Sequence, residues 1–174
     1  MIMTVEELKQ FITTSESDMV LEAKLQALEL LIRKYTNNNF QKRNFREKAS
    51  VMTTKLYLTT DLFKVGDTVQ ISESIYNDGI YVIKSIQDGF IVLNTDLIDE
   101  PQVLVTKVEY PIDVKMGVVG MLKWLLTNGD KTGISSETIS RHSVTYFSMD
   151  GSNTSIGFPT SLVGYLKPYM KARF

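Results

Sequence analysis

The pattern of apolar and polar positions changes period twice along the chain. Thr4 and Glu7 have capping-box spacing, and Val5, Leu8, Phe11 and Ile12 follow on one helical face, predicting a short first helix. After the polar break at 13–17, Leu21, Leu25, Leu28, Ile32 and Tyr35 recur at alternating spacings of four and three from Asp18 onward, the stripe of an amphipathic helix that Asn37-Asn38-Asn39 ends. Leu30 and Leu31 lie beside that stripe and widen it, so the helix is expected to pack on two neighbours. From Phe40 to Ser50 the chain is polar and basic, and this stretch reads as a domain boundary.

Beyond it the period is two. Lys55–Leu58, Thr68–Ile71, Ile80–Ile83, Phe90–Leu93 and Val103–Val105 are short β-rich runs, separated by Val65-Gly66-Asp67, Asn77-Asp78-Gly79, Gln87-Asp88-Gly89 and Asp99-Glu100-Pro101. Asp-Gly pairs favour tight hairpins, so residues 51–109 are predicted as a five-stranded antiparallel barrel or sandwich. Helical spacing returns after Tyr110-Pro111 through Val114, Val118, Met121, Leu122 and Leu125, and stops at Asn128-Gly129. Gly117 and Gly120 fall inside this helix, where glycine costs about 1 kcal/mol against alanine, and their expected use is close approach of another backbone. A polar stretch from Asp130 to Arg141 precedes Ser143–Phe147, an alternating run that reads as a short strand or an extended arm, and the loop Asp150–Asn153. A last helix starts at Pro159 and carries Leu162, Tyr165, Leu166 and Tyr169 toward a basic end at Lys171 and Arg173. The predicted fold class is α+β, a mainly helical core of residues 1–50 and 110–174 with the β-domain 51–109 inserted in it.

Composition narrows the function. Of the 174 residues, 43% are hydrophobic and 22% charged, values of a folded chain rather than a disordered one. A net charge of -1 offers no global attraction to nucleic acid or to an anionic membrane, so any polyanion contact has to be local. The absence of cysteine removes disulfides, thiolate nucleophiles and cysteine-based metal centres, and fits synthesis in a reducing cytoplasm. There is no signal-peptide pattern at the start and no apolar stretch near the ~18 residues of a membrane span.

Chemistry is sparse. The single histidine, His142, has no nucleophile motif to serve, and Asp96, Asp99 and Glu100 lack the glycine and spacing of a calcium loop and read as a solvated turn. The segment 127–133 lacks the Walker spacing. Val65-Gly66-Asp67-Thr68-Val69 is common at the start of small SH3-like barrels, some of which bind RNA, and Tyr57, Tyr76, Tyr81 and Phe90 offer stacking faces if they are not core. Lys42, Arg43, Arg46 and Lys48 form the best candidate polyanion contact, against the plainer reading of a solvated linker. No enzyme activity and no cofactor is expected.

The two ends of the chain resemble the phage head-tail connector (adaptor) family. The resemblance rests on the start Thr4–Lys9, the long helix Asp18–Tyr35 closing on Asn37-Asn38-Asn39-Phe40, the helix Pro111–Leu126, and an ending in which Ile134–Ile139 leads through Ser143–Tyr146 to Phe158-Pro159 and a final helix Leu162–Tyr169. It covers residues 1–40 and 110–174 and leaves the β-domain uncovered. It implies a non-catalytic virion protein, made in the host cytoplasm, that forms a dodecameric ring below the portal. Such a ring extends the DNA channel without sequence-specific binding and receives a stopper or tail-side connector. On that reading Leu30, Leu31, Gly117 and Gly120 are candidate ring contacts. Tyr165, Leu166, Tyr169, Met170 and Phe174 are candidates for docking to the portal, and Lys42, Arg43, Arg46 and Lys48 for facing the channel. The alternative is a nucleic-acid-binding module that uses the barrel and the basic run at 42–48.

Overall fold

The first two helix starts have side-chain caps and the next two follow a proline, Pro111 and Pro159, in the computed structural model, which describes residues 1–58, 61–129, 136–139, 142–145 and 153–172. Phe174, Arg173, the side chain of His142 and the predicted loop at 150–152 lie outside the described residues. Helix α1 (Val5–Lys9) carries the complete capping box: the Glu7 amide donates to Thr4 Oγ1 at 3.1 Å, and the Thr4 amide donates to Glu7 Oε2 at 3.1 Å. Helix α2 (Asp18–Thr36) is capped by Ser17 and ends on Asn37, whose φ of 49° is the left-handed conformation that asparagine tolerates. Helix α3 spans Ile112–Asn128 and α4 Thr160–Val163. From Gly164 to Tyr169 the chain continues as a 3-10 helix, in which Pro168 has no amide to donate to an α-helical bond.

Between α2 and α3 lie β1 (Gln41–Met52), β2 (Lys55–Tyr57), β3 (Thr68–Ser72), β4 (Gly79–Gln87), β5 (Phe90–Leu93) and β6 (Glu100–Val108). They form a closed antiparallel barrel in the order β1-β2-β5-β4-β3-β6. The five expected runs lie in strands except for Leu58, one residue past β2, and Gly89, at φ 83°, makes the β4–β5 hairpin turn as its Asp-Gly pair requires. The expected fold class is nevertheless overturned. The protein is a small α+β fold built on a closed six-stranded barrel, not a mainly helical core carrying a five-stranded insert.

The strand that makes the difference is β1, formed by the basic stretch read as a boundary. It pairs with β6 from Gln41↔Val108 to Val51↔Glu100 and with β2 from Ser50↔Tyr57 to Met52↔Lys55. Along its second half Glu47, Ala49 and Val51 alternate with the more exposed Arg46, Lys48 and Ser50. Charges on the outer face hide the apolar alternation, and an irregularity between Gln41 and Arg46 breaks it further. The barrel interior is packed by Ala49, Val51, Leu56, Phe63, Val69, Ile71, Ile83, Ile91, Leu93, Val103 and Val105.

Contacts divide the chain into two units, Met1–Ile2 with Asn38–Tyr110, and Met3–Asn37 with Pro111–Phe174. In the second, α2 packs on α3 and on the 3-10 helix, burying Leu21, Leu25, Leu28, Ile32, Val118, Leu122 and Leu166. Past the 3-10 helix, the Lys171 amide donates to the Thr36 carbonyl at 2.8 Å and Asn37 Nδ2 donates to the Ala172 carbonyl at 2.8 Å, so the chain satisfies a carbonyl left over at the end of α2. Two short hairpins complete the unit, β7 (Ser136–Ile139) with β8 (His142–Thr145) and β9 (Thr154–Ser155) with β10 (Phe158–Pro159).

Gly117 of α3 lies under the Tyr165 ring: a Cβ there would sit 2.1–2.5 Å from ring atoms. Alanine ordinarily stabilises a helix by about 1 kcal/mol over glycine. Here overpacking against a half-buried ring, about 1–3 kcal/mol, wins. Three ring atoms within 2.5 Å put the overpacking at the upper end, about 3 kcal/mol, so Gly117→Ala is expected to lower unfolding free energy by about 2 kcal/mol in urea titration, the difference of the two effects, and Tyr165→Leu in the same chain to recover part of it. An unchanged or raised midpoint for Gly117→Ala contradicts this packing.

Candidate interaction site

Helix α2 has two apolar faces. At about 100° per residue, the buried set Leu21, Leu25, Leu28 and Ile32 lies opposite Met19, Ala23, Ala27 and Leu30, with Val20 at the edge. All five of these outward residues are exposed, Met19 to 81% and Leu30 to 61%. Gln26 and Lys34 are the polar side chains interspersed there. An outward surface helix face ordinarily carries charge, and a helix apolar on both sides is one that another surface covers. Leu31 is half-buried.

The other residues expected at an interface are mostly engaged within the chain. Gly117 accommodates Tyr165, and a Cβ on Gly120 would make ordinary contact with Leu162 at 4.0 Å. The Tyr165 hydroxyl donates to the Met121 sulfur at 3.2 Å, and burial, followed by the nearby Asp113 carboxylate, pushes that phenol far above its usual range. Leu166 is buried, and the Tyr169 hydroxyl donates to the Asp113 carboxylate at 2.8 Å, a bond that raises the phenol's pKa. Met170 is exposed.

The basic residues run along β1, Lys42, Arg43 and Arg46 in its first half and Lys48 in its second. Lys42 pairs with Glu109 at 2.5 Å and stands 4.8 Å above the Phe45 ring, and Arg46 Nε donates to Thr106 Oγ1 at 3.3 Å. Arg43 and Lys48 are exposed. Of the candidate stacking residues, Tyr57 and Phe90 pair at 5.6 Å with Lys55 lying 4.4 Å from the Phe90 ring. Tyr81 packs against the barrel core and donates to the Asn77 carbonyl at 2.9 Å.

Sequence reasoning missed a clamp at the Val51 end of β1. Glu100, read as part of a solvated turn, is buried and accepts from the Ser74 hydroxyl at 2.5 Å, the Ile75 amide at 2.7 Å and Asn77 Nδ2 at 3.0 Å. Buried Asn77 also exchanges two bonds with the Ile98 backbone, each 2.8 Å. The signal available was a Ser and an Asn flanking two large apolar residues, a loop composition that supplies polar handles at its base. The clamp leaves Ile75 80%, Tyr76 64% and Ile98 56% exposed.

Among the described residues no three His, Cys, Asp or Glu side chains converge as metal ligands, and no helix is long and apolar enough to cross a membrane. A groove of about 140 Å³ lies between α1 and α3, lined by Met3, Glu7, Phe11, Ile112, Lys115 and Met116. Ligand pockets run to about 300–1,000 Å³, so this groove is smaller than a usual ligand site.

The bonds to Glu100, first that from Ser74 and then that from the Ile75 amide, hold its carboxyl below the usual carboxylate range. A lowered folded pKa contributes stability that is present above the unfolded value, about 4.3, and is lost as pH falls through the folded one. Glu100→Gln is therefore expected to melt at lower temperature than wild type at pH 7, with the gap narrowing on acidification below about pH 4. Thermal melts followed by circular dichroism measure this, and equal midpoints at pH 7 contradict the clamp.

Comparison with known proteins finds no family model that matches this chain and no curated relative.

Proposed function

We propose that this protein is a non-catalytic structural subunit that assembles with copies of itself into a ring, as a head-tail connector below a phage portal. The observation that carries the reading is the second apolar face of α2, with Met19, Val20, Ala23, Ala27 and Leu30 all exposed in the single chain. Covering a Leu or Met side chain is worth about 1.5–3 kcal/mol, so Met19 and Leu30 together supply a useful share of an association energy. The resemblance of both ends of the chain to connector subunits gives that face a use, because a ring subunit needs side surfaces that bury apolar area against its neighbours.

The second reading, a nucleic-acid-binding barrel, has in its favour the Tyr57–Phe90 pair beneath Lys55. Salt-dependent binding of an oligonucleotide by the full chain, weakened by Arg43→Glu with Lys48→Glu, is its expected signature.

The deciding measurement is molar mass by light scattering over a wide concentration range, alone and with the purified portal of the same phage, with imaging of any particles formed. Rings support the connector reading. A chain monomeric in both conditions and missing from purified virions overturns it. In the assembling condition, Met19→Glu with Leu30→Glu is expected to raise the concentration needed for assembly at least tenfold, since each site loses about 1.5 kcal/mol or more and 1.4 kcal/mol is a factor of ten.

A further inference from the structure

The clamped loop of the barrel exposes an apolar tip that its own fold does not need. Ile75 and Tyr76 project from the β3–β4 connection, and Ile98 from the β5–β6 connection is tied to the same base by Asn77. Unfavourable exposure of this kind is ordinarily relieved by disorder, yet here Glu100, Ser74 and Asn77 fix the backbone with bonds of 2.5–3.0 Å. A rigid aromatic and aliphatic pair on a preorganised loop has little conformational entropy left to lose on docking, and tyrosine is among the residues enriched at binding hot spots.

Charge selects the partner. Glu73, Asp78, Asp96 and Asp99 are exposed around the tip, and neither connecting segment, 73–78 nor 94–99, contains a Lys or Arg. Two such tips repel, which disfavours a symmetric tip-to-tip dimer. The complementary surface is on the same barrel. Strand register sets Glu100 opposite Val51 and Val108 opposite Gln41, so Arg43, eight residues before Val51, lies about 26 Å along β1 from the clamp at ~3.3 Å per residue. That half of β1 presents Lys42, Arg43 and Arg46 beside the half-buried Phe45, with no carboxylate between them, whereas Lys48 lies only three residues from Val51. Arginine guanidinium groups stack on a tyrosine face and pair with carboxylates at once, the combination the tip requires.

We infer that the Ile75–Tyr76 tip of one copy docks on the basic half of β1 of a second copy, so that barrels follow one another head to tail. This deepens the ring reading and rests on it: an acidic apolar knob at one end and a basic strand toward the other make a heterologous contact, the kind that closes into a ring.

The test uses the full-length chain in whichever condition, alone or with portal, the wild type assembles. Ile75→Ser with Tyr76→Ser, the tip reversal Glu73→Lys with Asp96→Lys, and the strand reversal Arg43→Glu with Arg46→Glu are each expected to raise the assembly concentration at least tenfold without changing the melting temperature. The chain carrying both reversals is expected to recover to within about threefold of wild type, estimated from the modest net worth of exposed charge pairs. A wild type that assembles while none of the three variants shifts its threshold, or a doubly reversed chain that does not recover, overturns the contact and leaves the ring reading standing. Intact rings that fail to attach to the portal when the tip is changed assign the tip to the portal and likewise overturn it. A wild type monomeric in both conditions overturns the ring reading and this contact with it.

Discussion

The pairing of β1 with β6 is the constraint on which the barrel depends. Strand β6 lies between β1 and β3, and β1 also pairs with β2, so removing β1 would open the barrel and leave β6 and β2 as edges. The same pairing brings together the points where the chain enters and leaves the barrel. Gln41 faces Val108, the Glu109 amide donates to the Phe40 carbonyl at 2.9 Å, and the Phe40 and Tyr110 rings stack at 4.8 Å. A domain whose two ends are zipped side by side can sit in a loop of another sequence at little entropic cost, because the closure is made by its own hydrogen bonds. The excursion from α2 to α3 has this form.

How much of this was legible in the sequence follows from where each signal sits. The capping box of Thr4 and Glu7, the four-three stripe of α2 and the asparagine that ends it are local, and they appear as read. The five apolar runs are local too. Strand β1 was not legible, because a barrel strand shows its outer face to solvent and Lys42, Arg43, Arg46 and Lys48 outnumber the sparse inward alternation of Glu47, Ala49 and Val51. Its partner β6 is about sixty residues away in the paired Arg46↔Thr106 stretch, and no local pattern announces a pairing at that range.

The functional surfaces divide in the same manner. Leu30 was expected to widen the core stripe, but it lies on the opposite face of α2 and is exposed, because it falls two residues from both Leu28 and Ile32 on a helix of about 3.6 residues per turn. Gly117 was expected to receive a backbone and instead receives the Tyr165 ring, a difference of partner that spacing on one helix does not contain. Glu100 was not legible because its three donors, Ser74, Ile75 and Asn77, all come from the β3–β4 connection 23–26 residues earlier, and a glutamate following Asp96 and Asp99 looks solvated until those donors are brought to it. A buried carboxylate without donors would be costly, whereas one with three restrains a loop.

The net charge of -1 conceals this arrangement. Overall neutrality argues against nonspecific attraction to nucleic acid, but it says nothing about where the charges are. On the barrel the exposed carboxylates of Glu73, Asp78, Asp96 and Asp99 surround an apolar tip, while Arg43 and Arg46 stand some distance along β1. Salt screens such charges over about 10 Å at 0.1 M, less than the separation along the strand, so the two ends present themselves to a partner almost independently. Charge set apart on one small body favours contacts between unlike ends over contacts between like ends. It achieves this without the excess of positive charge that would make a neighbouring polyanion a competitor.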